Sequence, residues 1–395
     1  MLRQRRLGIP LAALTAVGML ASDLYLPALP SMQAQLRASM TAGQGTMAIF
    51  MLSLALSQFA WGWLADRHGD LRAIMAGTVL LAAGSVLCGL APDMASLLIG
   101  RLIQGLGAGA ATVAVPALIR RRFSEADSVG AMALVATVES TVPAIGPVLG
   151  AAIVLHLDWR VSFYLIAAVA VGLLPLVSRI VGRTAPSSGI AKPLAGAQPA
   201  WMTWGFVRHA LSYAAMFGAL LMYVASAPHL VTAWIGTGVG GFAVLQLCGV
   251  GAFMVAAACG AKLAARYGVE RAMLTGAGLH MLAAAMMMAQ ASAGLRSLAL
   301  LIAAWAVFCA GLGLRGPSLM SRALSLAVSN PGKAAGVVMT AAFGMTALAT
   351  MAVAPFLTDG LLPVAFGVAI LVTLSILLVP EAFRLHHQQH AAKQM

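Results

Sequence analysis

Charge is scarce in this sequence. Of 395 residues, 9% are Asp, Glu, Lys or Arg and 61% are apolar, whereas an ordinary soluble domain carries about 25% charged residues. So little charge cannot clothe a water-facing surface. Acid is scarcest, with 11 Asp and Glu against 24 Lys and Arg, a formal net charge of +13. Cysteine is thin as well. Cys88, Cys248, Cys259 and Cys309 all fall in apolar runs without paired ligand spacing, which excludes a disulfide framework and a zinc site and leaves them as packing residues. No Gly-rich loop ends in Lys followed by Ser or Thr, so an ATP site of that kind is excluded and no cofactor is called for. No loop exceeds about 25 residues, too short for a folded output or catalytic domain. The histidines are scattered, none pairs with an acid inside a span, and His386, His387 and His390 fall in a solvated terminal tail. A membrane-embedded enzyme or sensor finds no support.

Long apolar runs are abundant instead. A membrane helix needs roughly 20 apolar residues to cross about 30 Å of hydrocarbon, and runs of that length recur with short charged gaps. Twelve are expected: near 8–30, 43–65, 73–91, 94–118, 128–155 and 161–182, then near 206–230, 240–264, 272–292, 297–320, 335–357 and 361–380. The basic start MLRQRR resembles a secretory leader, but the following run carries Asp23 and lacks a small-residue cleavage pattern, so it reads as a retained first span.

The basic residues set the topology. With both termini inside, 19 of the 24 lie in cytoplasmic segments, Arg37, Arg160 and Arg296 lie outside, and Arg101 and Arg315 fall within spans. Spread over alternate loops, this charge is a topological signal and not a nucleic-acid face. The polar stretch RTAPSSGIAKPLAGAQ, from Arg183 to Gln198, divides the spans six and six. An amino-terminal six-helix bundle over 1–182, a cytoplasmic linker over 183–205 and a carboxyl-terminal bundle with a short tail over 206–395 are expected. An internal echo agrees: Leu64–Gly77 (LADRHGDLRAIMAG) aligns without gaps on Leu263–Gly276 (LAARYGVERAMLTG), each after the second span of its half.

Three motifs now matter. Gly62, Asp66, Arg67, Gly69 and Arg72 mark the loop between spans two and three; the glycines suit a tight turn and close backbone approach, and Asp66 offers a carboxylate to a cation or a helix amino terminus. Arg101, Gln104, Gly105, Gly107 and Gly109 sit in span four, where glycines at helical spacing allow close packing and a buried arginine requires a partner, expected to be an acid. Gly146, Pro147 and Gly150 sit in span five, where proline removes a helix hydrogen bond and the glycines admit a neighbour.

Together these resemble the major facilitator superfamily, and within it the twelve-span drug:proton antiporters. The stretch DLYLPALP, from Asp23 to Pro30, is similar to the start of the bicyclomycin and chloramphenicol resistance branch; Trp159, Arg160 and Phe163 also fit the superfamily, and YVASAPHL from Tyr223 is a weaker echo. The resemblance implies an all-α membrane protein of twelve transmembrane helices in two pseudo-symmetric six-helix bundles, in a bacterial inner membrane, binding a small-molecule substrate and protons, acting as a monomer and not as an enzyme. It also implies that Asp66 latches onto span eleven and onto one of Arg120 to Arg122. Asp70 departs from the basic residue usual there, and Ala265 replaces the acid in the second half, so one such latch is expected. The span-five motif belongs to exporters, although Val142 and Ala151 stand where glycine is usual.

Of the eleven acids, only Asp23 and Glu139 fall well inside spans. A carboxylate in lipid favours its protonated form and an adjacent arginine favours the ionised one, so Asp23 facing Arg101 would form either a proton-coupling switch or a static pair. Glu139 is either a second titrating group or a satisfied interior acid. Arg315 either meets a polar or anionic substrate group or snorkels to the inner surface. Tyr25, Gln104 and Tyr223 offer polar handles for substrate. Proton-coupled efflux of small amphipathic molecules is the first expectation; uptake or facilitated diffusion of a small nutrient is the alternative.

Overall fold

A computed structural model describes residues 2–122, 125–182, 203–326 and 331–379. The interior of the expected linker, the terminal histidines and the side chains of Arg120 and Arg122 lie outside the described residues. Thirteen helices follow one another: α1 (Leu2–Asp23), α2 (Leu29–Gln35), α3 (Met40–His68), α4 (Asp70–Leu90), α5 (Met94–Arg122), α6 (Glu125–His156), α7 (Arg160–Gly182), α8 (Trp204–His229), α9 (Gly238–Tyr267), α10 (Val269–Ser292), α11 (Leu298–Ser325), α12 (Pro331–Val353) and α13 (Leu361–Leu378). Among the described residues, twelve spans are long and apolar enough to cross a membrane, the first of them made of α1 and α2 together. Their outer faces expose Leu56, Val255, Leu348 and Leu377, side chains that lipid solvates and water does not.

Packing divides the chain into two units, Met1–Lys192 and Pro193–Met395. In the first, α5 packs on α3, α4 and α1, α1 packs on α6 and α7, and α4 packs on α7. In the second, α11 packs on α9, α10 and α8, α8 packs on α12 and α13, and α10 packs on α13. The six pairings match one for one, as a duplicated six-helix unit requires.

The sequence echo is a structural repeat. Gly69 ends α3 at φ 94, ψ 147, and Gly268 ends α9 at φ 90, ψ 151. Each donates its N–H to the carbonyl four residues back, Ala65 and Ala264. Positive φ of this kind is open to glycine and strained for other residues. Gly62, by contrast, lies inside α3, and a Cβ there would meet Val113 at an ordinary 3.7 Å, so neither a turn nor a close approach explains it.

Glycines also set how closely the helices approach. A Cβ at Gly105 would lie 2.4 Å from the Phe50 carbonyl of α3, and one at Gly107 would lie 2.2 Å from the Leu81 nitrogen of α4. Two glycines two residues apart thus serve opposite flanks of α5, seating it between α3 and α4.

Candidate coupling and substrate site

Span one breaks at its acid. Proline at 27 has no N–H for the Asp23 carbonyl and proline at 30 none for Leu26, so α1 stops at Asp23 and the chain passes through a single 3-10 turn, Leu26–Ala28, before α2 resumes. Asp23 is therefore buried at an interrupted helix, where carbonyl groups are left to be satisfied from elsewhere. Its Oδ1 accepts a hydrogen bond from the Ser22 hydroxyl at 2.8 Å.

Arg101, fully buried on α5, satisfies that broken end. Its Nη1 donates to the Ala21 carbonyl at 2.9 Å and to Gln104 Oε1, and its Nε donates to the Thr46 carbonyl of α3 at 3.1 Å. The guanidinium lies 4.2 Å from the ring centroids of both Tyr25 and Phe50. No acid stands within ion-pair distance of Arg101 among the described residues; the acid expected to answer it, Asp23, feels its charge across a longer gap and forms no salt bridge with it. The reason is local. A cation at a helix carboxyl terminus is stabilised by the exposed carbonyls themselves, and the aromatic faces supply the rest.

The polar handles beside it are also committed. Gln104 accepts from Arg101 and donates through Nε2 to Ser85 of α4 at 2.8 Å, and the Tyr25 hydroxyl pairs with Thr46 Oγ1 at 3.0 Å. Both side chains are fully buried. Ser85 and Thr46 carry no motif of their own, and reading the sequence passed over them.

The span-five glycines meet this break directly. A Cβ at Gly146 would lie 3.0 Å from Asp23 Cβ, and one at Gly150 would lie 2.0 Å from the Leu24 carbonyl. The α6 helix continues through Pro143 and Pro147, with Pro147 buried. Lower on the same seam, Glu139 is half-buried and interacts with the Thr15 hydroxyl of α1. The seam runs parallel, with Gly8 against Leu134, Thr15 against Glu139 and Asp23 against Gly146. Both intramembrane acids thus share one helix pair.

At the turn between α3 and α4, Arg121 of α5 bridges Asp66 and Asp70, the latter at 3.3 Å. Asp70 is buried at the first turn of α4, where an acid also complements the helix dipole. The residue that departs from the usual motif is thus the second acid on the same arginine. Arg67 lies 5.4 Å from the Trp63 ring, and Arg72 is exposed. The second unit, expected to lack such a latch because of Ala265, joins α10 to α11 through Glu270 and Arg322 at 2.8 Å. Ala265 itself lies on α9, and the acid that pairs here, Glu270, lies on α10 one residue past the counterpart of Asp70.

In the second unit, Tyr223 is fully buried and stacked on Trp305 at 4.3 Å, which stacks in turn on Phe308 at 5.6 Å. The Tyr223 hydroxyl has no hydrogen-bond partner among the described residues, which is costly for a buried group. Arg315 is 1% exposed, which overturns the snorkelling alternative. Its Nη1 donates to Ser375 Oγ at 2.7 Å and its Nη2 to the Ser375 carbonyl at 3.0 Å, with Ser212 Oγ at 3.4 Å, tying α11 to α13 and α8.

Comparison with known proteins agrees with this architecture. A family model described as the Major Facilitator Superfamily matches residues 11–355. The multidrug resistance protein MdtL of Citrobacter koseri is 27% identical over 304 residues, 76% of each chain. The MdtL of Escherichia coli O45:K1 is 31% identical over 166 residues, 42% of each chain. Among solved structures, a bacterial homologue of the human lysosomal transporter Spinster, inward-facing and unoccupied, superposes with a TM-score of 0.71 at 13% identity over 96% of both chains. A D-xylose–proton symporter gives 0.72 at 12% identity over 95% of this chain and 98% of its own. At such identities these two speak for the fold alone.

Proposed function

The chain belongs to the major facilitator superfamily, whose members are membrane transporters and not enzymes, and from that premise we propose that it exports small amphipathic organic molecules in exchange for protons. The observation that carries the proposal is a carboxylate, Asp23, buried at the break of span one with the span-five glycines packed against it. An acid at membrane depth is a functional group by default, because its charged form is poorly solvated there. Placed at a helix break, its charge state can alter the packing of α1 on α6. Competition between proton and substrate for that acid in alternate states is the physical content of antiport.

The multidrug resistance name of the MdtL relatives supports export over uptake. Asp23 is the first proton-coupling group and Glu139 the second, with Arg101 positioning the break. Tyr223, with its unpartnered hydroxyl, and Arg315 are the polar contacts for substrate in the second unit; Tyr25 and Gln104 shape the first. The span-two loop, with Asp66 and Arg121, acts as the conformational latch while two bundles rock about a midplane site, both termini remaining cytoplasmic.

Direction is the test. In inside-out vesicles energised with a proton gradient, adding a lipophilic cation should collapse the gradient and the cation should accumulate in the lumen, and an uncoupler should abolish both. Cation movement out of the lumen down the proton gradient would replace export with uptake.

A further inference from the structure

Two hydroxyls beside the intramembrane acids face a shortage of hydrogens. Ser22 Oγ lies 2.6 Å from the Met19 carbonyl and 2.8 Å from Asp23 Oδ1. Thr15 Oγ1 lies 2.9 Å from the Ala12 carbonyl and also meets the Glu139 carboxyl. A serine or threonine hydroxyl has one hydrogen to donate, and an ionised carboxylate has none. With either acid ionised, one of the two contacts at its hydroxyl is lone pair against lone pair. With the acid protonated, both are hydrogen bonds: the carboxyl O–H donates to the hydroxyl oxygen and the hydroxyl hydrogen stays on the helix carbonyl.

The arrangement is the same at both acids. Each hydroxyl belongs to α1 and reaches back to the carbonyl three residues before it. Each acid stands four residues ahead of a proline, Asp23 before Pro27 and Glu139 before Pro143, so the acid's own carbonyl lacks the usual helical donor. The charged or titratable side chains around Asp23 are Arg101 of α5 and Tyr25 of the adjoining turn; no described residue of α1, α5 or α7 sets a charge against Glu139.

We propose that Ser22 and Thr15 report the protonation of Asp23 and Glu139 to α1. When an acid loses its proton, the neighbouring hydroxyl turns its hydrogen onto the carboxylate, the carbonyl contact at Met19 or Ala12 lengthens, and α1 loosens locally, in its last turn at Met19 and in its middle at Ala12. No covalent bond changes other than the carboxyl O–H, whose proton leaves to water. At Ser22 the loosened turn includes Ala21, whose carbonyl Arg101 holds, and Asp23, which packs on Gly146. The two hydroxyls are positioning residues, and this inference rests on the reading of the two acids as the coupling groups.

Infrared difference spectra of the full chain in lipid, taken between acid and alkaline pH, test it. The protonated-carboxyl C=O bands are assigned by their loss in Asp23→Asn and Glu139→Gln. Ser22→Ala should move the Asp23 band to higher wavenumber and leave the Glu139 band in place, and Thr15→Val should do the reverse. Ser22→Thr and Thr15→Ser, which keep the hydroxyl, should keep both bands. Proton-coupled efflux in the alanine and valine variants should change roughly threefold to tenfold, the size of one buried hydrogen bond. Bands unmoved by Ser22→Ala and Thr15→Val, or no carboxyl band lost in Asp23→Asn at any pH, would overturn the inference. Unchanged substrate-driven proton release in Asp23→Asn with the bands shifting as expected would instead remove the coupling reading and leave the hydroxyl contacts standing.

Discussion

Arg101 holds one end of a broken helix through carbonyl and amide oxygens. Its planar fork reaches Ala21, Thr46 and Gln104 at once, so lysine, a point charge with a different reach, is not a conservative replacement. Arg101→Lys should lower stability in detergent by about 1–3 kcal/mol, because at least one buried carbonyl loses its donor, and thermal unfolding of the purified protein would read this. A melting temperature unchanged from wild type would mean the capping contacts carry no weight. Gly69 and Gly268 make a paired residue-scale test. Their φ angles of 94 and 90 both lie where a side chain is strained, so Gly69→Ala and Gly268→Ala should each cost about 1–3 kcal/mol. Unequal losses would show that the two turns, alike in backbone, differ in their surroundings.

Among elements, the α1/α6 seam carries the two proposed coupling acids, and glycines of α5 set its close packing on α3 and α4. Gly150→Leu would drive a side chain into the Leu24 carbonyl beside the span-one break, and overpacking of that kind costs about 1–3 kcal/mol. Loss of transport with membrane insertion intact is the expected result, measured by efflux and by membrane-fraction yield. Retained transport would detach the span-five motif from the break. At the start of α5, Asp93 caps the helix: its Oδ1 accepts from the Ser96 hydroxyl and from the Ser96 backbone N–H at 2.8 Å, and these bonds hold its carboxyl below the ordinary carboxylate range. A depressed acid stabilises the fold above its unfolded value, and that contribution disappears as pH falls through the folded value. Asp93→Asn should therefore flatten the acid limb of the stability profile in detergent and leave the neutral region little changed.

For the whole molecule, the number of spans, the duplication and the loop charges could be read from hydropathy and a fourteen-residue echo, since each depends on residues near in sequence. The site could be read only in part. Asp23, Arg101, Gly146 and Gly150 stand out because charge and glycine are conspicuous in an apolar run. What they touch does not: Arg101 finds Ala21 and Thr46, 80 and 55 residues away, and Arg315 finds Ser212 and Ser375, 103 and 60 away. Carbonyls and serines carry no signal until helix packing brings them together, which is why the sequence alone points to an acid at Arg101 and leaves snorkelling open for Arg315. Cysteine labelling at both termini bears on the topology. Both tails should be protected from an impermeant reagent in intact cells, and labelling of either from outside would undo the inside assignment of the basic loops.

The most direct test of proton exchange through the two seam acids is substrate-triggered proton release from the purified, unenergised protein in weakly buffered detergent. Wild type should release protons when a transported cation is added. Asp23→Asn should release fewer, and Asp23→Asn combined with Glu139→Gln should release none while the protein still binds substrate. Full release from the double variant would contradict the account.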